Sequence, residues 1–248
     1  MKRVNTVVFP FVVVSLFCII STAYSGSNPF ISSHGINFAI GNKYYQETDV
    51  RIDGPVAPLT FTRHYNSLST VDGTLGYGWS HSFADSISVT ASLIRYSRPD
   101  GRVVDYEYDS GSTSWVKDVG KIERITEEVD GYYLRESDGT IKKFDLSTGA
   151  LFEVVDRYGN TTSLDYSVAN EVGITDNFGR WLTLNYHGTS GRLIELETPV
   201  GSYIYNNTSG NLDSVQRPGN TTSRQYSYSG NNLTGMTDEE GNIHFSAS

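Results

Sequence analysis

Cysteine is almost missing from this chain: Cys18 is the only one among 248 residues. It falls in an N-terminal stretch that reads as a removable leader. The expected mature chain therefore has neither a disulfide framework nor a thiolate metal site. Histidine is scarce as well, and none of His34, His64, His81, His187 and His244 is paired at metal-ligand spacing. No His-Glu-x-x-His or His-x-His occurs, so no metal and no cofactor is expected. Basic charge is in deficit, with 19 Lys and Arg against 28 Asp and Glu and a formal net charge of −9. No Lys/Arg patch exists to neutralise phosphates, which argues against nucleic acid as a partner. Adsorption to an anionic membrane surface is disfavoured for the same reason. No P-loop and no Gly-x-Gly-x-x-Gly is present, so nucleotide chemistry has no foothold. Helical periodicity is also lacking: no ten-residue window of the C-terminal half carries apolar residues at helical spacing.

What the chain has instead is glycine and tyrosine, 24 and 17 of them. Gly139, Gly159, Gly179, Gly201, Gly219 and Gly241 form a ladder with rungs about twenty residues apart. Between several rungs stands a second glycine: Gly149, Gly191, Gly210 and Gly230. Each rung is followed by alternating residues that end on an aromatic, as in Gly179-Arg-Trp-Leu-Thr-Leu-Asn-Tyr186. There Trp181, Thr183 and Asn185 share one face of a strand, and Leu182, Leu184 and Tyr186 the other. Glycine and asparagine at the punctuation supply the positive φ of tight hairpin turns. One unit thus reads turn, strand, turn, strand, and the fixed period predicts a tandem β-hairpin array. The fold class expected is all-β.

The first 25 residues stand apart. Lys2 and Arg3 form a basic start, Val7 to Ile20 an apolar core, and Ala23-Tyr-Ser25 a small-residue cleavage site before Gly26. That is an export signal, too short to predict stable membrane insertion. The mature chain is expected to begin near Gly26 and to be secreted, periplasmic or at the cell surface. Residues 26–42 read as a lead-in and residues 43–109 as an N-terminal β module with strands at Tyr44–Ile52, Leu59–Tyr65, Phe83–Thr90 and Val103–Tyr108. The hairpin array is expected over 110–248. A module ahead of such an array can act as its cap, because an uncapped sheet exposes an edge that pairs with other chains.

Units such as Gly179-RWLTLNYHGTSGRL-Ile194, Gly201-SYIYNNTSGNL-Asp213 and Gly219-NTTSRQYSYSGNNL-Thr234 resemble the YD repeats of the Rhs and teneurin superfamily. Asp49-VRI, Pro58-LTFTRHYNS-Leu68 and Gly73-TLGYGWSHSF-Ala84 resemble the uncharacterised domain that often precedes those repeats in bacterial members. The resemblance implies a long β-sheet wound as a spiral shell, which in polymorphic toxins encloses a C-terminal toxic domain. This sequence holds about six units and stops inside one, at Gly241-NIHFSAS. The expectation is therefore the opening turn of a shell: an exported, non-enzymatic structural or adhesive protein, an N-terminal fragment of an Rhs/YD-repeat protein. Its partners would be further YD-repeat segments or a separately encoded toxin.

Residues that could carry chemistry are few. His64, His81 and Asp85 could form an acid–base site of an exported hydrolase, against the plainer reading that they pack around a turn. Ser80 lacks the Gly-x-Ser-x-Gly elbow and reads as a turn hydroxyl. Asp105/Glu107, Glu127/Glu128 and Glu239/Glu240 read as solvated charge; the two adjacent pairs would point to opposite faces of a strand. Asn160-Thr-Thr and its kin match the glycosylation pattern and read as turn residues. A row of aromatics, with Trp181, Tyr203 and Tyr205 foremost, could stack on sugar rings, making carbohydrate binding the rival function. Hairpin stacking needs the same residues. On that reading Trp181 is packed, and its truncation is expected to cost about 3–5 kcal/mol.

Overall fold

The structure, a computed structural model, describes residues 36–37, 41–117 and 122–246. The leader at 1–25, most of the lead-in at 26–42 and the half-period glycine Gly120 lie outside the described residues. Every described element is a strand. The first six are β1 Ile36–Asn37, β2 Asn42–Ile52, β3 Leu59–Asn66, β4 Asp72–Gly73, β5 Gly76–Tyr77 and β6 Trp79–His81. Then follow β7 Ser86–Val89, β8 Leu93–Ser97, β9 Val103–Asp109, β10 Ser114–Val116, β11 Arg124–Glu128 and β12 Gly131–Arg135. The periodic part comprises β13 Ile141–Phe144, β14 Leu151–Val155, β15 Thr161–Asp165, β16 Glu171–Asp176, β17 Trp181–Tyr186 and β18 Leu193–Thr198. It ends with β19 Gly201–Thr208, β20 Asn211–Gln216, β21 Ser223–Ser229, β22 Asn232–Thr237 and β23 Ile243–Ser246. No helix among the described residues is long and apolar enough to cross a membrane.

Two sheets and a short ribbon result. A four-stranded sheet runs β1-β2-β3-β6, and β4 pairs with β5. From β7 to β23 each strand pairs antiparallel with the next, giving one continuous strip of 17 strands. The strip thus opens at Ser86, well before the array boundary expected near residue 110. The glycine period reports the chemistry of the turns and not the pairing of the strands. β7 to β9 pair without it, using a turn at Pro99-Asp100-Gly101 that has Gly101 at φ 78°.

All six rung glycines and all four half-rung glycines have positive φ. Around Gly159, Gly179 and Gly219 an added Cβ would meet nothing within 4 Å, so these turns require the backbone conformation and not the space. Three of the rung turns, those of Gly159, Gly179 and Gly241, are also tied by one carboxylate arrangement that the glycine pattern does not reveal. Asp156 Oδ1 accepts the N–H of Tyr158 at 2.8 Å and of Asn160 at 2.9 Å, and Oδ2 accepts the Asn160 amide at 2.7 Å. Asp176 with Phe178 and Arg180, and Asp238 with Glu240 and Asn242, repeat the arrangement. The Asn160 amide leads the contacts that hold the Asp156 carboxyl below the usual carboxylate range.

The strip curls because its two kinds of hairpin differ. Pairs that turn over a half-rung glycine, β13–β14, β17–β18, β19–β20 and β21–β22, each carry a register shift. Of the pairs that turn over a rung glycine, β14–β15, β16–β17, β18–β19 and β20–β21 carry none, and β22–β23 at the end of the strip carries one. A bulge bends its strand and increases twist, so bulges repeated in one kind of hairpin wind the sheet. Near its start the strip meets itself: Ser86 bridges Ala150, and the Ile87 N–H donates to Gly149 O at 2.9 Å. Gly149 stands at φ 68°, and a Cβ there would lie 1.9 Å from Ile87 O, so the closure needs glycine on both counts. Ile94, Tyr96, Tyr106, Ile125, Leu134 and Phe144, all fully buried, fill the ring that this contact closes.

The small sheet lies on the concave face of the later strip and reaches across it from rim to rim. At the rung-turn rim, Arg180 donates to Ile52 O at 2.9 Å and to Ala57 O at 2.8 Å. At the half-rung rim, the Tyr77 N–H donates to Gly210 O at 2.9 Å, and the Leu193 N–H to Thr74 O at 2.8 Å.

Candidate functional site

Alternation along β3 sends Leu59, Phe61, Arg63 and Tyr65 to the strip, and all four are buried. Arg63 is charged in this apolar series, with its side chain fully buried. Its Nε and Nη2 donate to the two oxygens of Asp49 at 2.6 and 2.8 Å, the bidentate geometry that a guanidinium and a carboxylate share. Nη2 also lies 3.0 Å from Glu47 Oε2, and Nη1 donates to the Tyr226 hydroxyl at 2.8 Å. Tyr226 in turn donates to Glu47 at 2.9 Å. From the strip, Arg217 and Arg224 both reach Glu47 and Glu239. Three carboxylates and three guanidiniums thus balance in charge where β2 and β3 meet β19–β22.

The aromatic residues expected as a sugar-stacking row separate here. Tyr203 and Tyr205 are buried, with hydroxyls donating to Asp49 O at 2.6 Å and Asp49 Oδ2 at 2.8 Å. Trp181 stands on the other face of the strip and is 39% exposed. The three do not form one surface, and Trp181 is not the packed residue expected from the sequence. The fully sequestered tryptophan is Trp79, 1% exposed, in the Gly-Tyr-Gly-Trp-Ser-His motif.

His64 and His81 occupy adjoining strands, with Arg63 opposite His81 and His64 opposite Ser80. The pairing puts His81 on the Arg63 face and His64 on the reverse. His81 is buried, stacks on Phe61 at 5.1 Å between ring centroids, and its Nδ1 accepts the Phe83 N–H at 3.3 Å. Burial, with a smaller push from His64, lowers its pKa to about 3. His64 bonds Tyr44 Oη through Nδ1 at 2.8 Å, and burial lowers its pKa too. A cleft of about 340 Å³ opens beside His64, with Thr60, Ser82, Phe83, Asp85 and Lys142 in its wall. The sequence named His64 and Asp85 but not Lys142, which β13 supplies. The signal was parity: Lys142 shares the inward alternation of the buried Phe144.

The depressed His81 pKa has a stability consequence with a definite sign. The folded state keeps the ring neutral down to about pH 3, while the unfolded ring takes up a proton near pH 6.5. The unfolded state therefore binds more protons, and stability falls as pH drops through 6.5 towards 3. Between pH 7 and pH 5 this one group is expected to remove about 2 kcal/mol. His81→Asn keeps an acceptor for the Phe83 N–H and should flatten the slope in denaturant melts at the two pH values. An unchanged slope would assign the acid sensitivity to other groups.

Comparison with known proteins is decided at the N-terminal end. Residues 33–106 match the family described as a domain of unknown function (DUF6531). The match takes in the small sheet and the first strands of the strip, β7 to β9. The chain is also similar, at 31% identity over 142 residues, to the tRNA3(Ser)-specific nuclease WapA of Bacillus spizizenii. It is 30% identical over 142 residues to the tRNA nuclease WapA of Bacillus subtilis strain 168. Each alignment covers 57% of this chain and 6% of the relative, so the chain spans a small part of the length of these curated relatives.

Proposed function

We propose that this chain is an exported structural element: the opening of a YD-repeat β-shell, with the small sheet of the DUF6531 region seated against the later strip as a plug. The observation that carries this reading is the joint around Arg63. A catalytic groove would present charge and aromatics to solvent, whereas here Glu47, Asp49, Arg63, Tyr205 and Tyr226 are satisfied by one another and buried between two sheets. A paired charge network at an internal seam fixes how the sheets register. The similarity to nucleases named for their tRNA substrates supports a place in proteins of that type. The role proposed for this part is to begin and close the shell, whose further strands or enclosed cargo would be its partners.

A second reading, an exported hydrolase, draws on the cleft where His64, Ser82, Asp85 and Lys142 meet. The two part in one experiment. Purified chain incubated with tRNA and with a set of polysaccharides should leave all of them intact. Hydrolysis of any of them that disappears in His64→Ala would overturn the structural reading.

A further inference from the structure

Four side chains from three segments meet at the place where the strip closes on itself. Asp85, just ahead of β7, has a side chain 2% exposed, and Lys142 of β13 has one 14% exposed. Lys142 Nζ lies 2.9 Å from Asp85 Oδ1 and 3.7 Å from Glu136 Oε1. Tyr96 completes the group: its hydroxyl donates to Asp85 and accepts from Lys142 Nζ at 2.8 Å. The Tyr96 ring lies under the amine at 5.5 Å and packs on Phe144 at 5.9 Å. We propose that Lys142 and Asp85 are joined by a self-formed amide bond, with Glu136 carrying the proton and Tyr96 steadying the reacting carboxyl.

The atoms balance without an outside reagent. Glu136 takes a proton from the Lys142 ammonium, leaving a neutral amine against the Asp85 carboxyl group. The nitrogen attacks Cγ to form the C–N bond, and the Tyr96 O–H donates to the oxygen that gains charge. Glu136 returns its proton to the departing oxygen, the attacking nitrogen gives that oxygen its second proton, the C–O bond breaks, and water leaves. The sum is ammonium plus carboxylate giving amide plus water. Burial of both side chains limits the water that could compete at the carboxyl carbon. Fixed contact between amine and carboxyl also replaces an encounter with an intramolecular step, worth effective concentrations on the order of 10⁵ M or more. Burial is also the leading influence on Glu136 and raises its pKa against the opposing charges of Lys142 and Arg98, as suits a group that must hold a proton in passing. The bond would lock the contact made by Ser86 with Ala150, so that pulling on the N-terminal sheet could not peel β7 from the ring.

Mass spectrometry of the denatured full chain tests this, on material first shown to melt cooperatively. The expected result is a mass one water below that of the processed sequence, with a branched tryptic peptide joining the segments of Asp85 and Lys142. Lys142→Arg and Asp85→Ala should restore the full mass. Asp85→Asn should instead lose one ammonia, since an amide side chain has a different leaving group. Glu136→Gln leaves both reacting groups in place and should also restore the full mass; loss of water in that variant would overturn the role given to Glu136. A folded wild-type chain at full mass, with no branched peptide, would overturn the bond and leave an ion pair. That result would not touch the plug reading, which stands on the separate joint at Arg63.

Discussion

Arg63→Met is expected to destabilise the chain by about 3–5 kcal/mol, the cost of leaving a buried carboxylate without its partner. Asp49 has a fully buried side chain, so it cannot turn to water once the guanidinium is gone. Methionine fills most of the vacated volume, so the effect reports charge and hydrogen bonds more than a cavity. The loss should fall on the seam between sheets, because Arg63 also holds Tyr226 and Glu47. Denaturant unfolding of wild type, the single variant and the triple variant Glu47→Gln/Asp49→Asn/Arg63→Met would measure it. The triple variant should recover a good part of the loss, since neutral polar groups tolerate burial better than an orphaned charge. A single variant within about 1 kcal/mol of wild type would show the seam to be solvated like a surface ion pair.

The architecture of the later strip was legible because it is local. A glycine every twenty residues and alternation between them specify turns and strands without knowledge of any distant partner, and every rung and half-rung glycine has the positive φ expected. The winding was not legible, because it comes from bulges whose register is fixed by pairing. The joint was hidden for a similar reason. Arg63 meets Tyr226 across 163 positions of sequence, and Asp49 meets Tyr205 across 156. Alternation shows that Arg63 shares a face with Phe61 and Tyr65, and a charge at an apolar parity is a hint of a buried pair. It cannot name the pair. The candidate site divided along the same line: His64 and Asp85 reach one cleft, whereas His81 goes to the opposite face because β6 pairs with β3 in a register the sequence does not display.

The sharpest test of how the two sheets share their core is a comparison of two tryptophans. The repeat pattern drew attention to Trp181, yet its ring lies on the outer face and is 39% exposed. Trp181→Ala is therefore expected to change stability by no more than about 0.5–1 kcal/mol, as for surface positions generally. Trp79 carries the cost instead. Its ring lies 5.4 Å from Tyr65 and 5.3 Å from Tyr226, with the Arg63 guanidinium 5.4 Å from its centre. Its Nε1–H donates to the Tyr228 hydroxyl at 2.9 Å, so truncation removes a hydrogen bond to the strip as well as packing. Trp79→Ala should cost about 3–5 kcal/mol, the usual range for a buried aromatic. Because Tyr226 and Tyr228 belong to the strip while Tyr65 belongs to the small sheet, the loss should appear as one cooperative shift of the whole melt. Two separate transitions in Trp79→Ala, one for each sheet, would show that the small sheet sits loosely on the strip and is not its plug.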